Sequence, residues 1–287
     1  MVGLKLRTKL FLFLFVIPFL LVAQEKSLVI LFLNDTHSRI EPFSLNDARN
    51  PDKGGAVRHS SYISNMRKET KNLLMFHCGD MVQGTPYFNL FDGEAEIAVA
   101  NRLKMDAACL GNHEFDNGLD FLAKMIRRAK FPYITTNLDF TGTPVDGLTK
   151  KYHILKRDGL KIGIIGLTIN PDGLVAKKNS EGVKFIDPIE SANQVAELLK
   201  KEKKCDLVIC LSHLGYVPEG NYLWCDTALA VNSRNIDIIL GGHSHYFLQK
   251  SERRMNLEGK EVIIQHGGAY GINIGRLDVI LEERKKK

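Results

Sequence analysis

The sequence predicts an α/β fold, on three observations. Apolar runs of strand length alternate along the chain with longer stretches of helical periodicity. Several runs are apolar at nearly every position, the pattern of strands buried on both faces: SLVILFL (27–33), NLLMFHC (72–78) and DLVICL (206–211). The 287 residues are 44% hydrophobic and 25% charged, with no low-complexity tract and no fixed-period repeat, which suits a globular core.

The N-terminus stands apart. Lys5, Arg7 and Lys9 precede the unbroken apolar run LFLFLFVIPFLLVA (10–23), and polar Gln24-Glu25-Lys26 follows. A spanning helix needs roughly 20 apolar residues, so this run is short, and the order basic, apolar, small, polar is that of a signal peptide. Residues 1–24 are expected to be a cleaved leader and 25–287 a single domain, exported to the periplasm or the extracellular space. Stable membrane insertion is not expected after cleavage; an uncleaved anchor is the alternative. No Cys precedes Cys78, which argues against a lipid-modified N-terminal cysteine.

Formal net charge is +6, and Lys5, Arg7 and Lys9 supply half of it. Arg284 and Lys285 to Lys287 carry part of the rest, so solvated ends account for the basic balance and a nucleic-acid partner is not expected. Five cysteines make no disulfide framework and no C-x-x-C occurs. Cys78, Cys109 and Cys210 lie in apolar runs; a Cys205–Cys225 bridge is left open.

In order, the pattern gives a strand at 27–33, a helix at 54–70 with Val57, Tyr62, Ile63 and Met66 for its inner face, and a strand at 72–78. A helix at 93–104, a strand at 105–110, a helix at 119–129 and a strand at 132–136 follow. Residues 138–150 read as loop. Strands at 151–157 and 160–167 flank Asp158-Gly159, a strong hairpin signal. A helix at 188–204 ends in lysines that suit its dipole. Strands are expected at 206–211, 236–240, 261–266 and 272–281, with a loop or short helix over 217–233.

Five of these strands end directly in metal-type ligands: Asp35 and His37, Asp80, Asn112 and His113, His213, and His243 and His245. Ligands of α/β sheets gather beyond the carboxyl ends of the strands. Asp-x-His and His-x-His use a spacing of two, which in extended chain puts both side chains on one side and lets each pair reach one centre. Oxygen and imidazole donors suit zinc, manganese, iron or similar divalent ions. Each residue alone has a bland reading as a turn, cap or loop residue. Idle polar residues at the same end of five strands are much harder to arrange. His59, His77, His153 and His266 lack this context and read as structural or surface residues.

Other chemistries fall away. Gly242-His243-Ser244-His245 starts like a nucleophile elbow, but Tyr246 stands where glycine is required. His113-Glu114 starts like a zinc-protease helix, but residue 117 is Asn. No phosphate-binding P-loop is present.

The segments NDTHSRIEPF, GDMVQGTPYFN, GNHEFDNG, SHLGY and GGHSHY resemble, in order, the motif set of the calcineurin-like metallophosphoesterases, with spacing similar to the 5'-nucleotidase branch. GGAVRHSSYISNMRKE, KIGIIGLT and HGGAYGINIGRLDV extend the resemblance over roughly 28–281. It implies the two-sheet α/β/β/α sandwich of that superfamily and two divalent metal ions. By motif position, Asp35, His37 and His245 would hold one ion, Asn112, His213 and His243 the other, and Asp80 would bridge them. His113 would be the catalytic histidine, oriented by Asp116, with Asn112 and His113 against the substrate. The chemistry is sensible, since paired cations acidify a water and clamp phosphoryl oxygens.

What the resemblance implies is a 5'-nucleotidase-like phosphomonoesterase acting on nucleotides or other small phosphoesters. A phosphodiesterase or pyrophosphatase acting on cyclic nucleotides or nucleotide sugars is the rival enzyme. A non-catalytic metal- or nucleotide-binding subunit is the rival of another class. Family 5'-nucleotidases typically carry a C-terminal substrate domain, and this sequence stops near where that would begin. A separate chain supplying that half, or a smaller substrate, is the corresponding expectation.

Overall fold

The structure is a computed structural model that describes residues 26–281; the expected leader at 1–24 and the basic residues 284–287 lie outside the described residues. The chain runs β1 (Lys26–Leu33), α1 (Ala56–Glu69), β2 (Leu73–Cys78), α2 (Pro86–Phe91), α3 (Glu94–Leu103), β3 (Ala107–Cys109), α4 (Gly118–Arg128), β4 (Tyr133–Ile134), β5 (Leu138–Asp139) and β6 (His153–Arg157). It continues with β7 (Leu160–Thr168), β8 (Lys184–Phe185), α5 (Pro188–Glu197), β9 (Leu207–His213), α6 (Asp226–Asn232), β10 (Ile238–Gly241), β11 (Glu252–Met255), β12 (Glu261–His266) and β13 (Gly275–Leu281). One sheet has the order β13-β1-β2-β3-β4 and the other β11-β12-β10-β9-β7-β6. Within each, the inner strands are parallel, while β13, β6 and β11 pair antiparallel at the edges.

The near-continuous apolar strands serve two layers at once. In β1, Leu28, Ile30 and Phe32 face the other sheet, where they pack with Ile162, Ile209 and Leu240. Leu31 and Leu33 face the opposite way, into a layer with Ile63 of α1, Ile97 of α3 and Leu122 of α4. Ile165 and Cys210 likewise turn outward from the second sheet onto Ala192 of α5 and Leu229 of α6. The result is the four-layer α/β/β/α sandwich. Among the described residues, no helix is long and apolar enough to cross a membrane.

Local chemistry sets the ends of elements. Asp158 and Gly159 both take positive φ and join β6 to β7 with Arg157 opposite Leu160, the tight hairpin the sequence announced. Asp187 caps α5 by accepting from the N–H groups of Ile189 and Glu190, and Pro188 fills the first helical position.

Four differences from the sequence pattern are instructive. The inner face of α1 is His59, Ile63 and Met66, whereas Val57 is 79% and Tyr62 39% exposed. The helix at 188–204 keeps α geometry only to Glu197 and widens to a π turn over Leu198–Glu202. The expected loop at 138–150 begins with β5, which pairs with β8, and the charged edge strand β11 (ERRM) has no apolar pattern to reveal it. All five cysteines are buried and free, including Cys205 and Cys225.

Candidate active site

Parallel strands from both sheets point their carboxyl ends to one rim. Asp35 and His37 follow β1, Asp80 follows β2, Asn112 and His113 follow β3, His213 ends β9, and His243 and His245 follow β10. Three groups of donors form there, the donor atoms of each lying within 4.8 Å of one another. They are Asp35 with His37 and His245, His37 with Asp80 and His113, and Asp80 with His213 and His243. Asn112 joins the third group, its Oδ1 3.0 Å from His243 Nδ1. Asp80 belongs to two of the groups, with Oδ2 3.0 Å from His213 Nε2 and 3.9 Å from His37 Nε2. All seven expected ligands therefore converge.

Asp35 and His37 do reach one group, but not through extended chain. Asp35, His37, His243 and His245 all adopt left-handed backbone, with φ between 49° and 74°, so none lies in extended chain. His243 and His245 turn to different groups, one to Asp80 and the other to Asp35. Tight left-handed turns, not strand alternation, bring these donors together. Such strain persists where surrounding bonds over-determine it. Here the N–H groups of Asp35, His37 and Ser38 donate to the carbonyls of Gly79, Asp80 and Met81. Gly79, at φ 82°, allows that fit: a Cβ would lie 2.7 Å from the Gly111 nitrogen.

Burial and neighbouring charges organise the titration of the rim. His37 and His243 are each lowered to about 4, burial being the main cause, and His245 is lowered likewise. Their imidazoles are thus neutral, with nitrogen lone pairs to offer at neutral pH. Burial pushes Asp35 up to about 7. Burial opposes charge on His213 and Asp80 as well, but their mutual attraction prevails, raising the histidine to about 10 and lowering the carboxylate. His213 Nδ1–H donates to the Cys78 carbonyl at 2.7 Å, which aims Nε2 at the rim, where it makes no aligned hydrogen bond. A buried, unbonded imidazole nitrogen among carboxylate oxygens and neutral histidines is a donor set that fits divalent cations.

His113 sits beside this cluster, 31% exposed, with Nδ1 2.7 Å from Asp116 Oδ2. The hydrogen bond to Asp116 raises the His113 pKa, against the opposing effect of burial.

The supporting roles of several neighbours were not legible in the sequence. Glu114 is fully buried, and its carboxylate accepts from the N–H groups of Asp80, Met81 and Gly111, tying two ligand turns together. Asn34 donates to Asp35 Oδ2 at 2.7 Å and to the Gly268 carbonyl at 2.6 Å. Under β9, Asp226 accepts from Ser212 and lies 2.7 Å from His266 Nε2. Asn34 and Glu114 do stand beside the ligands, the one signal that could have marked them. Of the histidines read as structural, His59, His77 and His266 are buried in hydrogen bonds, and His153 lies half-buried on β6.

The sequence profile of the family described as calcineurin-like phosphoesterase matches residues 28–247. The chain belongs to that family. This calcineurin-like phosphoesterase is 35% identical over 272 residues to the NAD 5'-nucleotidase of Haemophilus influenzae, covering 88% of this chain and 44% of that protein. It is 29% identical over 278 residues to the 5'-nucleotidase of Homo sapiens, covering 90% and 47%. Among solved structures, the Haemophilus influenzae NAD nucleotidase superposes with a TM-score of 0.80 at 31% identity, over 91% of this chain and 54% of that one. The 5'-nucleotidase precursor of Thermus thermophilus gives 0.78 at 30% identity, over 90% and 54%. The chain spans about half the length of the curated relatives it matches.

Proposed function

We propose that this chain is an exported, metal-dependent phosphoester hydrolase, a 5'-nucleotidase-like phosphomonoesterase acting on nucleotides. The observation that carries the reading is the convergence of seven donors on one rim with the His113–Asp116 pair beside them. Asp35, His37 and His245 would hold one cation and Asn112, His213 and His243 the other, with Asp80 offered to both. When bound, such a pair supplies Lewis-acid charge to a phosphoryl group and acidifies water.

The chain's own groups do the rest. Asp116 accepts a hydrogen bond from Nδ1–H of His113, fixing the ring so that Nε2 faces the substrate. His113 then stabilises or protonates the leaving oxygen. Asn112 holds the phosphoryl group beside it. Residues 25–287 form one catalytic domain in this reading, behind a leader at 1–24.

Names among the relatives support the nucleotide class, and some support a wider range. They include an "Apyrase" of Tabanus yao and a "Trifunctional nucleotide phosphoesterase protein" of Bacillus subtilis. Pyrophosphatase or phosphodiesterase activity is therefore the second reading. The test is to load the chain from residue 25 onward with manganese or zinc, quantify bound metal, and assay p-nitrophenyl phosphate, nucleoside monophosphates, cyclic nucleotides and UDP-sugars on one sample. Preference for monophosphates is expected. Turnover confined to the diesters or UDP-sugars would favour the second reading. No turnover with two metals bound would favour a binding subunit.

A further inference from the structure

Behind the turn that carries Asp35 and His37 lies a cavity of about 30 Å³, bordered by that turn, α1, β2 and α3. Its wall is mostly apolar, yet Ser38, Arg39, His77 and Glu96 also line it. Ser38 Oγ, Arg39 Nε, His77 Nδ1 and both Glu96 carboxylate oxygens find no hydrogen-bond partner within the protein. Ser38, His77 and Glu96 are each no more than 3% exposed. Buried polar atoms are rarely left unpaired, and a buried carboxylate least of all.

The dimensions name the occupant. A buried water needs roughly 10–15 Å³ and two to four polar partners, so the cavity takes about two waters. Two waters, one making three hydrogen bonds and the other four, match five unpaired protein atoms and one bond between the waters. A cation is a poorer match, because the Arg39 guanidinium already faces the space.

Thr36 and Ser38 of the turn line the cavity, and Thr36 also meets its His77. The Thr36 hydroxyl donates to the Met81 carbonyl at 3.3 Å, so its oxygen accepts from His77 Nε2–H at 3.0 Å. That tautomer leaves His77 Nδ1 as an acceptor facing the cavity. Thr36 sits between Asp35 and His37, both in left-handed backbone, and Ser38 at φ 54° continues the strain. A polar brace from beneath is what such a turn requires.

We propose that Glu96 is a positioning residue for the Asp35–His37 turn, acting through two buried waters that join its carboxylate to His77 and thereby to Thr36. The inference rests on the reading of Asp35 and His37 as cation ligands. Glu96 touches neither substrate nor cation; it fixes the turn that presents the ligands.

The experiment compares wild type, Glu96→Gln and Glu96→Leu. Mn²⁺ affinity is read by competition with a chromophoric chelator, and amide hydrogen exchange is read at Thr36, His37 and Ser38. Glu96→Leu is expected to weaken Mn²⁺ binding about 10–100-fold, the range for residues that orient metal ligands. It should also speed exchange at those three amides while exchange in the inter-sheet strands stays unchanged. Glu96→Gln keeps hydrogen bonding to water and should stay close to wild type. Should Glu96→Leu fail to fold, Ser38→Ala removes one anchor and is expected to show a smaller loss of the same kind. Wild-type affinity and exchange in Glu96→Leu, or in Ser38→Ala if that stands in, would overturn the proposal. So would a high-resolution crystal structure with a dry cavity or a cation in it. A wild-type chain that binds no Mn²⁺ counts against the ligand assignment instead, and exchange at the three amides then decides on Glu96 alone.

Discussion

The space between the two sheets and the rim above it are built on opposite terms. Between the sheets, Leu28, Ile30, Phe32, Ile162, Ile209 and Leu240 are at most 1% exposed and bring no polar side chain with them. A few residues further along the same strands, Asp35, Asp80 and His213 are at most 2% exposed as well, but charged and mutually entangled. Burial stabilises the first region and costs the second, since carboxylates withdrawn from water need compensating charge. The interior therefore holds the fold, and the rim draws on that rigidity to keep donors where the chain alone would not leave them.

The largest effects should separate the two. Asp80→Asn is expected to abolish both metal binding and hydrolysis while the metal-free chain stays folded, checked by metal quantification, assay and circular dichroism. A metal-free variant that cannot fold would mean that the rim, too, is structural. His113→Ala removes only the group proposed to stabilise or protonate the leaving oxygen and should cost about 10²–10⁴-fold in turnover with both metals retained. An unchanged rate would strip His113 of its assigned role.

Ile162→Ala runs the comparison in reverse. Ile162 is fully buried between the sheets, at the far end of β7 from the rim. The substitution should cost about 2–5 kcal/mol of stability, read from urea unfolding. Turnover per folded molecule should hold near wild type. A large fall in turnover would show that the two regions are not independent.

What could be read from the sequence follows the same division. The central strands were legible because burial on both faces leaves a run with hardly a polar position. The donors were legible because they stand directly after those runs. The geometry of the turns was not, because spacing says nothing of φ, and Asp35, His37, Asp80, His243 and His245 all use left-handed backbone. Val57 and Tyr62 were misplaced because the inner face of α1 is read as much by buried His59 as by its hydrophobes. Glu96 was invisible for a similar reason, and Glu114 was legible only as a neighbour of His113, without its structural role. A carboxylate in a sequence looks like surface until the fold shows three backbone N–H groups, or a cavity with other unpaired polar atoms, waiting for it.

The smallest predicted effect concerns protons. Burial lowers the pKa of His59, and lowers that of His77 to about 3, against 6.5 for an unperturbed imidazole. Between each folded value and 6.5, the unfolded chain binds more protons than the folded one, so these groups make stability rise with pH and fall on acidification below 6.5. Asp35 and His213, both raised, act with the opposite sign, and their stabilising contribution fades as pH rises. The net slope of metal-free protein mixes the two regions, but His59→Gln subtracts one group cleanly. His59 Nε2–H donates to the Gly271 carbonyl at 2.7 Å, a bond that a glutamine amide can replace. Urea midpoints at about pH 7, 6 and 5 should fall less steeply in the variant than in wild type, with the two converging in slope above about pH 7. Parallel lines across that range would mean that His59 protonates without cost. The seal it makes at α1 would then be looser than its burial implies.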